Sequence, residues 1–164
     1  MASTDKQKEA VRFLSERMSK LKRQERPALP AVPEIGTEMP DGTIYAGLSP
    51  ETDQPMYAAP FDARSVLFKR TVTLTFDQAA EYAKDLEVGR KKGFRVPTKD
   101  ELKVLFQNRE KGALKGTFNL LSTGCWYWSS HSITDKIADG MRFTDGTQMS
   151  YPRTEQSSVR CVRD

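Results

Sequence analysis

The sequence predicts an α+β fold in which two helices pack on twisted antiparallel sheets, with a helical arm at the N-terminus. The helices are predicted by the patterns TFDQ at 75–78 and TKDE at 98–101, which both fit a capping box. The strands are predicted by short β-branched and aromatic runs bounded by turn residues. The arm is indicated by a charged N-terminal segment with one narrow apolar stripe.

The length of 164 residues suits one domain of ordinary size with an appendage. The mean hydropathy is -0.63 and no apolar run approaches the roughly 20 residues that a membrane helix needs, so no membrane span is predicted. Residues 1–8 continue into charged residues and not into an apolar segment, so no secretory signal is visible. We therefore expect synthesis in the cytoplasm without a signal peptide.

The basic excess of the chain is confined to its N-terminal segment. The formal net charge is +4, and residues 1–26 hold eight Lys or Arg against four Asp or Glu. The remaining residues carry 18 basic and 18 acidic side chains. The main domain lacks the charge signature of a polyanion-binding protein, so no nucleic-acid specificity is expected.

Residues 1–26 are interpreted as a basic amphipathic helical arm. An apolar stripe with the spacing of a coiled-coil seam consists of Val11, Leu14, Met18 and Leu21. The stripe would serve as an assembly anchor or a homo-oligomer contact, and the alternative is a helix lying on its own domain. Residues 27–38 follow, with prolines at every third position at first, a spacing that favours an extended linker.

The domain proper is assigned to residues 39–164. Strands are predicted at 43–48, 56–58, 66–74, 126–130, 141–144, 148–151 and 159–163. The first capping box begins a helix that reaches Leu86, and the second begins a helix that reaches Phe106. Asp145 and Gly146 are typical of a hairpin turn between twisted strands.

Few polar residues of the domain are candidates for ligand contact. Arg90, Lys91 and Lys92 form its one basic cluster, which is either a solvated loop or a contact for a phosphate or a sulfated glycan. His131, the single histidine, is expected to be a polar loop residue after a strand and is retained as a candidate. No Cys or His pair has zinc-ligand spacing, and no phosphate loop or nucleophile elbow occurs, so no catalytic residue, metal or cofactor is predicted.

The aromatic run at 126–128 alternates across a predicted strand. Trp126 and Trp128 therefore share one face, and Tyr127 takes the other. Core packing and a stacking platform for sugar rings are both open interpretations, and Tyr127 is retained as a ligand contact. Cys125 and Cys161, the only cysteines, would form either a disulfide or two buried thiols.

Motifs spread over the domain together resemble a family of bacterial and phage domains with the C-type-lectin-like fold. The motifs are DGTIYAG at 41–47, SPET at 49–52, the helix at 75–86, FRVPT at 94–98 with Glu101 and Leu102, WYWSS at 126–130, FTDG at 143–146 and VRCVR at 159–163. The family includes the C-terminal domain of a Legionella collagen-like adhesin. The resemblance implies two helices packed on twisted antiparallel sheets, with a loop-rich face that binds partners. It does not imply an enzyme.

The sugar-binding motifs of calcium-dependent lectins with this fold are absent. Gln54, Pro55 and Met56 lack the carboxylate that such motifs supply, so calcium-dependent sugar binding is not expected. An enzyme related to the formylglycine-generating group is a further alternative, but those enzymes are much larger and use cysteines or copper in arrangements that this chain does not match.

We expect a non-catalytic binding or display module that the arm anchors to a larger assembly. The arm and the missing leader are consistent with a phage virion protein, either a capsid decoration or a tail-associated component. Its partners would be capsid or tail proteins. It would lie on the surface of the virion or of another extracellular particle. The alternative is a bacterial adhesin-like domain that recognises glycans or proteins on a host surface.

Overall fold

The computed structural model describes residues 9, 12–15, 32–65, 67–68 and 70–164. The chain divides into two units, Met1–Val32 and Pro33–Asp164. In the first unit, Glu9 and residues 12–15 are helical, and Leu14 of the predicted stripe is exposed. The other stripe residues, Val11, Met18 and Leu21, lie outside the described residues. The second unit begins within the predicted linker, 27–38.

The second unit has α+β architecture, as predicted. Its elements in chain order are β1 (Ile44–Leu48), β2 (Pro55–Ala58), α1 (Phe76–Asp85), α2 (Lys99–Asn108), β3 (Trp126–Ser132), β4 (Ile137–Arg142), β5 (Gln148–Pro152) and β6 (Val162–Arg163). Two antiparallel three-stranded sheets have the orders β1-β2-β6 and β3-β4-β5. Both helices pack on the sheets: α2 contacts β1, β3 and β4, and α1 contacts β3.

Each helix begins at the capping box that the sequence predicted. The Thr75 hydroxyl accepts a hydrogen bond from the Gln78 amide, and the Gln78 side chain accepts one from the Thr75 amide. Thr98 and Glu101 form the same pair of bonds at the start of α2, with distances of 3.3 and 2.9 Å. The caps satisfy amides that have no partner within the helix, so both helix starts are fixed by local sequence.

The core consists of two apolar clusters that meet at β3. Tyr127 points into one cluster, where its ring lies 4.3 Å from that of Phe143. Trp128 points into the other, where it stacks on Tyr151 at 4.4 Å and contacts the edge of Phe76. Alternation along the strand thus sends adjacent aromatic residues into different clusters.

The hairpin between β4 and β5 turns at the predicted position. The Gly146 amide donates to the Arg142 carbonyl at 2.8 Å, and Gly146 has a φ of 80°. The Asp145 carboxylate accepts the Thr147 amide at 3.0 Å. A glycine and a short acidic side chain are what this turn requires, because one supplies the left-handed backbone and the other a local acceptor.

The predicted strand at 66–74 is wrong. The described part of this segment forms isolated bridges at Thr71, with Arg64, and at Leu74, with Ser157, and residues 67–68 form a turn. The Leu74 carbonyl accepts a hydrogen bond from the Trp128 indole at 2.8 Å, so this stretch serves partly as a cover for Trp128. β-Branched and aromatic residues indicate that a segment suits a half-buried surface. They do not show that its backbone pairs with another strand.

Four strands lie within two residues of their predicted bounds, whereas two others differ by more. The predicted strand 141–144 begins four residues earlier, as β4, because Ala138 and Gly140 pair with β5 despite their low strand propensity. The last strand contains only Val162 and Arg163, while residues 157–160 are buried but irregular. Among the described residues, no helix combines the length and apolar character that crossing a bilayer requires.

Candidate functional site

A cleft of about 660 Å³ lies between α1 and the segment 93–98, and we call it the α1 cleft. Its apolar lining comes from Phe76, Ala80, Ala83, Phe94 and Val96. Its polar and charged lining comes from Glu51, Thr52, Lys84, Arg95, Thr98, Ser130 and Asp164. A lining that combines apolar side chains with polar and charged groups suits a ligand that has one apolar face and several hydroxyl or charged groups.

One wall of the α1 cleft is held by an ion pair between Arg95 and Glu101. The Arg95 guanidinium donates to both Glu101 oxygens, at 2.5 and 2.8 Å, and to the Asp164 carboxylate at 2.8 Å. The Ser49 hydroxyl donates to Glu101 at 2.6 Å. Since Glu101 also caps α2, this carboxylate joins the helix, the cleft wall and the loop after β1 at one point.

The surroundings of Glu101 keep its side chain ionised. Burial by itself raises the pKa of this carboxyl, but the hydrogen bonds from Arg95, Ser49 and the Thr98 amide outweigh burial and lower the pKa to about 2. Glu101 therefore carries a full negative charge at neutral pH and has no proton to donate.

The basic cluster Arg90–Lys92 lies in a tight turn that leads directly into Gly93 of the α1 cleft. Gly89 and Arg90 have φ values of 54° and 67°, and the Val88 and Lys91 backbones bond each other. The Gly89 backbone lies so close to Asp41 that a Cβ would approach the Asp41 carbonyl oxygen to 1.9 Å. All three basic residues are exposed. The turn thus holds them beside the cleft in a fixed backbone conformation.

His131 lies in β3, next to Ser130 of the α1 cleft, and belongs to a cluster around the buried Asp139. One Asp139 oxygen bonds the His131 Nδ1 at 2.9 Å and the Lys99 ammonium at 3.2 Å, and the other accepts from the Ser150 hydroxyl at 2.5 Å. Burial raises the pKa of Asp139, but these hydrogen bonds together lower it below its usual value. The exposed His131 and Lys99 are therefore oriented by one ionised carboxylate.

Tyr127, retained as a ligand contact on sequence grounds, is fully buried. Its hydroxyl donates to Asp62 at 2.6 Å and accepts the Asn119 amide at 2.6 Å. Burial, with the nearby Asp62 charge, raises its pKa far above the usual range. We correct the assignment: Tyr127 is a core residue and does not reach the surface, because its strand face meets α2 and not solvent. Trp128 is equally buried, whereas Trp126 is half-buried.

Cys125 and Cys161 are free thiols, both buried, so of the two alternatives the structure has the unbridged one. Burial raises the pKa of the Cys161 thiol to about 12. No group of three His, Cys, Asp or Glu side chains in the described part of the chain is arranged to hold a metal ion.

Sequence reasoning missed Arg95, Lys84 and Asp164 as site residues. Glu101 was recognised, but only as a helix cap. A signal was present in principle, since an arginine precedes the capping box by three residues. The sequence does not show that Glu101 turns inward, because that depends on how α2 packs against β1.

The fold and the cleft together define a compact α+β domain with a ligand-sized groove. The model of the Lcl C-terminal domain family matches residues 51–163, more than half of the chain, and the chain belongs to this family. Membership confirms the resemblance drawn from the motifs and indicates an adhesin-like binding module. No curated protein matches the chain.

Proposed function

We propose that this chain is a non-catalytic, adhesin-like module that binds a glycan in the α1 cleft. The observation that carries the proposal is the composition of the cleft, which combines apolar side chains with hydroxyl and charged groups and is adjoined in the chain by the Arg90–Lys92 turn. A pyranose ring has one apolar face and a rim of hydroxyls, which this lining complements. Exposed lysines and an arginine beside the cleft would favour an acidic or sulfated sugar.

Two features support a binding role over a catalytic one. The ionised Glu101 carboxylate already accepts hydrogen bonds from Arg95 and Ser49, and it has no proton to donate. Ser150 bonds Asp139 and not the imidazole of His131, so the three groups do not form the serine-histidine-aspartate relay of a hydrolase.

The test is binding to an array of neutral and sulfated glycans, with and without calcium. Ala80→Tyr places a large ring in the α1 cleft from an exposed position of α1, and Glu81→Tyr places the same ring at the next exposed residue, which does not line the cleft. We expect Ala80→Tyr to weaken binding about tenfold or more and Glu81→Tyr to leave it unchanged. A blank array under all conditions, or equal losses in the two variants, would contradict the proposal.

We further propose that the N-terminal arm holds the module on a larger assembly, such as the capsid or tail of a phage. This rests on the sequence, in which the whole basic excess lies in residues 1–26. Purified particles assembled with the full chain should carry the protein, and particles assembled with a variant lacking residues 1–34 should lack it. Full occupancy by the shortened variant would refute anchoring through the arm.

A further inference from the structure

Two loops of the domain each carry a pair of adjacent exposed apolar residues that do not line the α1 cleft. In the first, Leu67 is 83% exposed and Phe68 is 74% exposed. In the second, Leu121 is 79% exposed and its neighbour Leu120 is 40% exposed. We call these four residues the apolar tips. Single exposed apolar residues are ordinary, but two adjacent pairs on neighbouring loops are not.

The two loops are neighbours in space. The first is closed at its base by a hydrogen bond from the Ser65 amide to the Arg70 carbonyl, at 2.9 Å, and by the bridge between Arg64 and Thr71. A second cleft, of about 490 Å³, is lined by Thr71 from this base and by Asn119 and Leu121 from the other loop. The base of the first loop and Leu121 of the second loop therefore line the same cleft.

The second loop is fastened to the core by buried polar groups. The Asn119 amide donates to Asp62 at 3.0 Å and to the Tyr127 hydroxyl at 2.6 Å. The Asn119 side chain in turn accepts the Leu121 amide at 3.0 Å. Because these contacts fix the backbone on both sides of Leu120, exposure of its side chain and that of Leu121 is built into the fold.

In the sequence of the two loops, almost all charged residues are basic. The stretches 61–73 and 112–125 contain Arg64, Lys69, Arg70 and Lys115 and a single acid, Asp62. Asp62 is buried and paired with Arg160 at 2.7 Å, so it does not offset the exposed cations. Arg64, Arg70 and Lys115 are all exposed. Residues 27–164 are neutral overall, which makes these loops a local basic region.

Exposed acids also occur near these loops, since Glu81 precedes Tyr82, whose hydroxyl accepts the Arg64 amide at 3.2 Å. Glu155 precedes Gln156, whose side chain accepts the Thr73 hydroxyl at 3.1 Å and lines the second cleft. Leu67 and Phe68 themselves are flanked in the chain by the exposed Arg64 and Arg70.

We propose that these two loops dock on an anionic lipid surface. Leucine and phenylalanine at protruding tips insert at the boundary between headgroups and acyl chains, and arginine and lysine beside them contact anionic headgroups. Separate protruding tips fit a fluid surface, whereas a protein partner of similar area is better matched by a continuous groove or flat patch. None of the four apolar residues lines the α1 cleft, so docking and ligand binding use different residues.

The test is sedimentation of the full chain with vesicles of phosphatidylcholine alone and with about 30% phosphatidylserine, at physiological salt. Leu67→Ser with Phe68→Ser removes the apolar character of one tip. Ile133→Ser with Ile137→Ser is the matched control, because these two isoleucines are also exposed but lie at the β3–β4 turn. Arg70→Glu with Lys115→Glu tests the cations. Circular dichroism confirms that each variant is folded.

We expect binding to the anionic vesicles to exceed binding to phosphatidylcholine at least about tenfold. The Leu67/Phe68 and Arg70/Lys115 variants should each lose about tenfold or more, and the Ile133/Ile137 variant should bind like the wild type. Failure of the wild type to bind anionic vesicles would overturn the proposal in favour of an acidic protein partner. Equal losses in the two apolar variants, or no loss in the Leu67/Phe68 variant, would overturn insertion of the tips.

Discussion

Arg95 and Glu101 form a two-bond ion pair that fastens the wall of the α1 cleft to the first turn of α2. The Glu101 side chain is 1% exposed and that of Arg95 is 35% exposed, so the pair spans the boundary between core and cleft. A single carboxylate therefore caps a helix, neutralises an arginine and shapes the candidate site.

Glu101→Gln should destabilise the domain by about 2–3 kcal/mol, because an arginine with its main partner removed stays partly buried. The measurement is the free energy of unfolding in urea. Asp100→Asn is the control, since Asp100 is exposed, lies in the same helical turn and pairs only weakly with Lys103 at 3.5 Å. Its effect should stay within about 0.5 kcal/mol. Equal effects of the two substitutions would show that the pair does not stabilise the fold.

The same carboxylate should make stability depend on acidic pH. The pKa of Glu101 is about 2 in the folded protein, against an ordinary value of 4.5. A lowered folded pKa means that the contribution is complete above pH 4.5 and is lost as the pH falls through about 2. The stability difference between wild type and Glu101→Gln should therefore shrink from about pH 5 to about pH 3. A difference that is constant over this range would contradict the assigned pKa.

Gly89→Ala should destabilise the domain much more than Gly93→Ala. Both glycines have positive φ, 54° and 83°, so both substitutions introduce backbone strain of about 1 kcal/mol. Only at Gly89 would the new Cβ meet a neighbour, the Asp41 carbonyl at 1.9 Å, which should add about 2 kcal/mol or more. Thermal and urea unfolding of the two variants provide the comparison. Similar losses would mean that the Arg90–Lys92 turn is not packed on Asp41 as described.

The two cysteines should behave as protected thiols. Cys161 is 1% exposed, and burial raises its pKa to about 12, so almost no thiolate is present at neutral pH. We expect a thiol reagent to modify Cys161 and the buried Cys125 only slowly in the native protein, and to titrate two free thiols in denaturant. A titration that finds none in denaturant without reductant would establish the disulfide alternative.

Local sequence was sufficient where neighbours in the chain settle the structure. The caps at Thr75 and Thr98 and the turn at Gly146 involve partners within four residues, and all three were predicted correctly. The strand expected at 66–74 failed because ladder formation needs a partner strand from elsewhere in the chain. The burial of Tyr127 was missed for a related reason: alternation separates two faces but does not tell which of them a helix will cover.

By itself, the sequence determined the α+β class, the helix starts, the family and the segregation of the basic excess into residues 1–26. The tertiary structure alone decided that Glu101 meets Arg95 and Ser49, that Lys84 and Ser130 line one cleft, and that Thr71 and Leu121 line another. The physical reason is the separation along the chain of the residues that interact. Capping and turn formation are local hydrogen-bonding preferences, whereas each of these sites joins residues that are distant in the chain and meet only when the helices pack on the two sheets.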